Sequence, residues 1–365
     1  MTTLDRRHFL RACMRAGLGA SVGAGALELL ATGGLAGSAL LSVDTAEAAT
    51  GVQTIKFACV APEGSLWVNL TRDWDRELRS LSQNRVRIQI FGGGVLGEEQ
   101  DAIRKMRAGQ IQATGVTGIG MGEMVASTRA LELPRLFYSL KELDDAVTAL
   151  DGYYHQAFDE KGYVLLGFTE VGPIHLFTRK PIHKVSELNS MRMWVWEGDP
   201  VSKEIASTFG VSAVPLSLLN VLTSLQTKVI DGVYGSPLAT VTMQWHNYLK
   251  YMTAEPLAYA VGVIAMDKKA FLSLPADVQP LMVSLGRKYT RQMVERARVD
   301  NDKAVTLMKG ADIQVNPLDP SEIPLFNRKS TEIWAHLTGK LYSEDLLKQL
   351  QAAVQKSRSA TGSRP

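Results

Sequence analysis

Thr54-Ile55-Lys56-Phe57-Ala58-Cys59-Val60 alternates and is rich in β-forming residues, and Pro62-Glu63-Gly64 breaks it. Ser65 then stands where a helix cap belongs. Trp67, Leu70, Trp74, Leu78 and Leu81 recur behind it at three- and four-residue spacing. Val86 to Phe91 reads as a second strand. Glu98 to Arg107 reads as a helix closed by Gly109, and Ile111 to Val116 as a third strand. A β-α-β-α-β run of this kind predicts an α/β domain with parallel strands, because parallel neighbours need a crossover helix between them.

A similar unit comes later. Met191 to Val195 predicts a strand, Pro200 to Phe209 a helix ending at Gly210, and Val211 to Pro215 a short strand. Val221 to Thr227 predicts a helix and Val229 to Tyr234 a strand. Ile103 to Gln112 overlays on Leu222 to Asp231 as helix, turn and apolar strand start, which suggests two halves with similar wiring. Val164 to Phe168 and Leu176 to Thr178 are strands suited to carry the chain across, and Leu257 to Met266 to carry it back. The expected division is lobe I at 49–173 with 262–310, and lobe II with hinge helices at 174–261 with 311–355. A polar, frayed tail is expected at 356–365. Two lobes crossed by extended segments enclose a cleft with a hinge, a preferred place for a ligand.

The first 48 residues read differently. Asp5-Arg6-Arg7-His8-Phe9-Leu10-Arg11 precedes a weakly apolar, glycine-rich stretch, and Ala46-Glu47-Ala48 supplies small residues for cleavage. This order of segments predicts an export signal. The Arg6-Arg7 pair with Phe9 and Leu10 resembles the twin-arginine type, and Ala46 and Ala48 hold the two small-residue positions before a cut after Ala48. Glu28 and the glycines weaken the alternative of a spanning helix. The expected location is therefore periplasmic.

Composition narrows the chemistry. The 365 residues carry 40 basic and 37 acidic side chains, a formal charge of +3, which argues against a nucleic-acid partner. Cys13 and Cys59 are the two cysteines, too few for a disulfide framework, and cleavage leaves Cys59 alone, read as a buried structural thiol. The six histidines are scattered, with no HExxH and no Gly-x-Ser-x-Gly elbow. Gly92-Gly93-Gly94-Val95-Leu96-Gly97 fits a dinucleotide fingerprint, but it follows the second strand and lacks a ribose-binding acid about 20 residues on. Turn glycines are the better reading. Glu98-Glu99 and Asp144-Asp145 suit helix N-terminal turns. No cofactor or metal site is expected, and no catalytic constellation is visible.

Phe91-Gly92-Gly93-Gly94-Val95-Leu96-Gly97-Glu98-Glu99, Leu133-Pro134-Arg135-Leu136-Phe137 and Leu225-Gln226-Thr227-Lys228-Val229-Ile230-Asp231-Gly232 resemble, in order, motifs of the DctP family, the periplasmic solute receptors of TRAP transporters. The resemblance implies a two-lobed periplasmic-binding-protein-like fold, closure over one small organic solute, and delivery to membrane subunits of DctQ and DctM type. It also marks departures. Trp194 stands where the family carries an arginine that clamps a substrate carboxylate, with Arg192 two residues earlier on the same strand face as a substitute. Pro173-Ile174 follows Gly172 where a second arginine is common. Lys228 replaces a helix-ending glycine, at small cost in a left-handed conformation.

A bidentate arginine fixes a carboxylate, whereas a tryptophan offers apolar area, a π face and one N–H. The exchange therefore predicts an aromatic-lined pocket for a ligand with an apolar, aromatic or cationic part. Trp196, Tyr234 and Trp245 lie nearby, Trp196 and Trp245 reading as core or rim. Ligands in open α/β sheets sit beyond the carboxyl ends of strands. That rule selects Pro62, Glu63 and Trp67, then Thr117 and Gly118, Glu170 at the crossover, and Tyr234, Gly235 and Ser236. Glu63 and Glu170, if both face the cleft, call for a donor or a positive charge on the ligand. The reading is a non-enzymatic receptor. The alternatives are a cofactor-dependent periplasmic enzyme exported folded, or a receptor-like sensor or scaffold module.

Overall fold

The computed structural model describes residues 51–361. The export-signal residues Arg6, Arg7, Phe9, Leu10, Ala46 and Ala48 lie outside the described residues, as does the end of the tail. Ten strands are present among the described residues: β1 Gln53–Ala58, β2 Val86–Phe91, β3 Ala113–Val116, β4 Tyr163–Thr178, β5 Arg192–Trp196, β6 Ser212–Leu216, β7 Gly232–Gly235, β8 Tyr251–Thr253, β9 Ala258–Asp267 and β10 Gln314–Asn316. Their order is β2-β1-β3-β9-β4-β7-β5-β6, with β8 on β4 and β10 on β8.

The two expected halves have the same wiring. β1 pairs in parallel with β2 and β3, and β5 pairs in parallel with β6 and β7. The strands between them are antiparallel, because β4 carries the chain one way and β9 returns it. The two short strands read at Val164–Phe168 and Leu176–Thr178 are one continuous β4 of 16 residues. It pairs with β9 as far as Ile174 and with β7 from His175 onward. Its register slips between Glu170 and Gly172. Gly172 has φ +114°, and a Cβ there would lie 2.4 Å from Asn301 Nδ2, so the bulge needs glycine.

Side-chain alternation explains the layers. Ile55 and Phe57 of β1 enter a core with Trp74, Leu78, Met282 and Met293, while Ala58 faces the opposite side with Ile103 and Met121. Leu66–Leu81 covers the first face through Val68, Leu70, Trp74 and Leu78. The helix Val278–Gly310 is 33 residues long, about 50 Å at 1.5 Å per residue. Met282, Leu285 and Met293 pack beside β1, and Met308 joins the core around Phe177, Trp194 and Val233 at its other end. One rigid helix thus touches both halves.

Several local expectations change. Asp144 and Asp145 fall in the middle of Leu140–Ala149, capped by Ser139, and Asp144 pairs with Arg298 instead of a helix N-terminus. The frayed tail is helical as far as it is described. Glu344–Thr361 is continuous, because Ser357 is buried and Arg358 pairs with the buried carboxylate of Glu142. Lys228 adopts φ +59°, the left-handed conformation expected at this helix-ending position. No helix among the described residues is long and apolar enough to cross a membrane.

Candidate functional site

A cavity of about 290 Å³ opens between the carboxyl ends of the strands of the two halves, at the lower end of the ~300–1,000 Å³ usual for small-molecule sites. Pro62 and Trp67 line it after β1, and Thr117 and Gly118 after β3. Glu170, from the bulge of β4, forms part of its wall. Trp194, Tyr234, Gly235 and Ser236 close it from the second half.

The aromatic wall is ordered by its own contacts. Trp194 stacks on Tyr234 at 4.8 Å and 13°, meets Trp245 edge-on at 5.4 Å, and lies 5.7 Å from Trp196. Its indole N–H donates to the Leu216 carbonyl at 3.0 Å. Trp194 is therefore core and cavity wall at once, as is Trp245. Such offset and edge-on pairs hold aromatic rings in place beyond simple area burial.

Two sequence-selected residues do not reach the cavity. Arg192 begins β5 on the exposed side, donating to Asp231 at 2.8 and 2.9 Å, so it does not replace the missing arginine. Two residues along the strand correspond to about 6–7 Å, enough to move the side chain from the ligand end to the solvent end. Glu63 is exposed and pairs with Arg72 on the following helix.

The cavity does contain an arginine, one that the sequence reading missed. Arg129 lies in the 3-10 turn Ala126–Glu132 and is 6% exposed. One guanidinium nitrogen bonds Glu132. The other donates to Asp199 at 2.8 Å, and Asp199 also caps Pro200–Phe209 through the Val201 and Ser202 amides. Gly118 makes room: a Cβ there would sit 1.8 Å from Glu132 Oε2 and 2.0 Å from Arg129 Nη1. Burial pushes the Glu132 carboxyl up to about 7, against the pull of Arg129.

Glu99 shapes the same wall from behind. Its carboxylate accepts from the Thr117 amide and hydroxyl and from the Gly120 amide, each at 2.9 Å. Burial raises it to about 7. On the crossover strand, Glu170 is 2% exposed and its Oε2 accepts from Arg298 at 2.6 Å, while Arg298 also holds Asp144. Burial raises the Glu170 carboxyl in spite of Arg298. Cys59 is buried, with its thiol pushed up to about 12 by burial, which suits packing and not nucleophilic attack.

Strand ends of two similarly wired halves meeting on one cleft-like cavity define a two-lobed solute receptor. The model of the bacterial extracellular solute-binding proteins, family 7, DctP, matches residues 57–341, so the chain belongs to that family of TRAP-type receptors. A solute-binding protein of Verminephrobacter eiseniae is 26% identical over 234 residues, 63% of this chain and 68% of its own. The Bordetella pertussis extracytoplasmic solute receptor DctP7, binding pyroglutamic acid, matches with TM-score 0.77 at 19% identity over 83% of this chain and 100% of its own. The sugar acid binding protein DctPAm from Advenella mimigardefordensis, in complex with galactonate, gives 0.78 at 20% identity over 84% and 99%.

Proposed function

We propose that this chain captures one small organic solute in the cavity and hands it to a TRAP-type permease of DctQ- and DctM-type subunits. It acts in the periplasm after export by the twin-arginine-type signal of residues 1–48, and it holds its solute without transforming it. The cavity, walled by strand ends of both halves, carries this reading. Lobe I is assigned to 49–173 with 262–310, and lobe II to 174–261 with 311–355. The change of β4 partner between Ile174 and His175 supports that boundary.

On this assignment many contacts cross from lobe to lobe, and two of them lie beside the cavity mouth or its wall. Arg129 meets Asp199 at 2.8 Å, and the Leu219 amide donates to Glu98 Oε1 at 3.2 Å. Both belong to a closed state. A solute that touches both lobes shifts the population toward it, and the closed form is the one recognised by the membrane subunits. Pro62, Trp67, Thr117, Gly118, Glu170 and Trp194 are assigned as ligand contacts, together with Tyr234, Gly235 and Ser236.

The test is a native mass spectrum of the mature protein purified without added solute. A retained small organic mass, lost on denaturation, is expected. A ligand-free protein whose melting temperature responds to no solute extract contradicts the receptor reading.

A further inference from the structure

The charges on the cavity wall do not match a carboxylate ligand. Glu132, Glu170 and Asp199 line it against a single cation, Arg129. Arg129 is already committed to two of those carboxylates, Glu132 and Asp199. The next cation outward, Arg298, is shared by Glu170 and Asp144, so it leaves no surplus positive charge either. A second anion brought into this wall would lose its hydration and find no free guanidinium, a costly exchange in a buried site.

A separate observation comes from hydrogen-bond accounting. Glu170 Oε2 is taken by Arg298, but Oε1 is buried and has no partner among the described residues. A buried carboxylate oxygen accepts and does not donate, so it calls for an N–H or O–H from the ligand. Ser65 and Trp245 also line the cavity; their Oγ and Nε1 are buried without partners among the described residues, and both can donate to an uncharged acceptor. Ser65 caps Leu66–Leu81 in conformation only, since its hydroxyl makes no capping bond. The remaining wall is largely aromatic and aliphatic, with the rings of Trp67 and Trp196 half-buried. Aromatic faces favour a cation over an anion.

We propose that the solute of this receptor carries a cationic nitrogen that donates to Glu170, attached to an apolar or aromatic body that packs on the tryptophan wall. The ligand class is thus a small organic ammonium or amidinium compound, with any further polar group an uncharged acceptor facing Ser65 and Trp245. The proposal rests on the receptor reading above and sharpens it. Tryptophan at position 194 and the Glu170 carboxylate act together: one removes the family's anion clamp, the other supplies a cation partner.

Calorimetry and thermal shift with three probes of one size test this: benzylammonium, benzyl alcohol and benzoate, at low ionic strength and neutral pH. The expected order is benzylammonium first, at least about tenfold tighter than benzoate, the scale of a hydrogen bond to a charged group. Glu170→Gln keeps the size of the side chain and is expected to abolish the preference of benzylammonium over benzoate. Glu170→Asp, which restores charge at a shorter reach, is expected to recover part of it. Benzoate binding as tightly as benzylammonium, or no binding by any probe, overturns the cationic class. A benzoate-preferring protein leaves the receptor reading standing, and the retained mass described above judges that reading on its own.

Discussion

The two walls of the cavity are built on opposite principles. The wall of Trp194, Tyr234 and Trp245 is held by stacked and edge-on rings and fixed by one indole hydrogen bond to Leu216. The wall of Arg129, Glu132, Asp199 and Glu170 brings four ionisable groups into an interior where burial raises the Glu132 and Glu170 carboxyls. The first contributes area and shape at little electrostatic cost. The second carries a desolvation cost that stabilises nothing by itself, so its value lies in choosing a ligand and in joining two parts of the chain.

The sharpest way to break this contrast is Arg129→Met. It leaves Glu132 and Asp199 buried without their cation, and a loss of about 3–5 kcal/mol is expected in denaturant unfolding. A change within about 1 kcal/mol would mean the charged wall relaxes into water and is no wall. Trp194→Ala attacks the other side. It removes the ring at the centre of three aromatic contacts, and a loss of about 3 kcal/mol with abolished solute binding is expected. Trp194→Phe is expected to fold well and bind weakly, since packing is mostly kept while the indole donor and part of the face are lost.

Gly118→Ala tests the fit between a turn and the charged wall, because its Cβ would overlap both Glu132 and Arg129. A cost of about 1–3 kcal/mol is expected by thermal or chemical denaturation. A smaller effect concerns pH. The Glu132 carboxyl sits near 7 in the folded chain, above its ordinary value of 4.5. The folded state therefore holds the proton more tightly, and this group adds stability as pH falls from about 7 to 4.5. Melting temperatures across that range are expected to improve for the native chain relative to Glu132→Gln as the pH drops. A constant difference would place the carboxyl at an ordinary value. Arg192→Ala lies at the bottom of the scale: its solvent-screened pair with Asp231 is expected to matter little to stability and not at all to binding.

Much of the first wall was legible in the residues. Alternation in Thr54–Val60, the helix ending at Gly210 and the apolar stretch around Ala258–Asp267 follow from local periodicity, and the strand-end rule led to Trp67, Thr117 and Tyr234. Glu63 and Arg192 show where that rule stops. Each sits beside a strand end or on the right strand, but Arg72 of the following helix holds Glu63 outside and Asp231 holds Arg192. Arg129 was not legible for the opposite reason. Arg129 and Glu132, three residues apart in a polar turn, have the spacing of a solvated ion pair. Their burial comes from the preceding helix and from Asp199. Gly118 and Gly122 lie under the Arg129 side chain, and Gly120 lies beside Glu99. The alternating glycines of Gly118-Ile119-Gly120-Met121-Gly122 were the available signal, since a charged side chain lies close to where each missing Cβ would be, with Val116 also against Gly120. Asp199 before Pro200 reads as a helix cap, and its second task as partner of Arg129 depends on the tertiary fold.

The account turns on the exchange of an anion clamp for an aromatic wall, and calorimetric titration of the mature chain with succinate addresses it most directly. With Arg192 held by Asp231 and Arg129 held by two carboxylates, no saturable heat is expected up to about 1 mM succinate. Saturable binding tighter than about 10 μM would show that one of these arginines is released to a carboxylate, and would contradict the account.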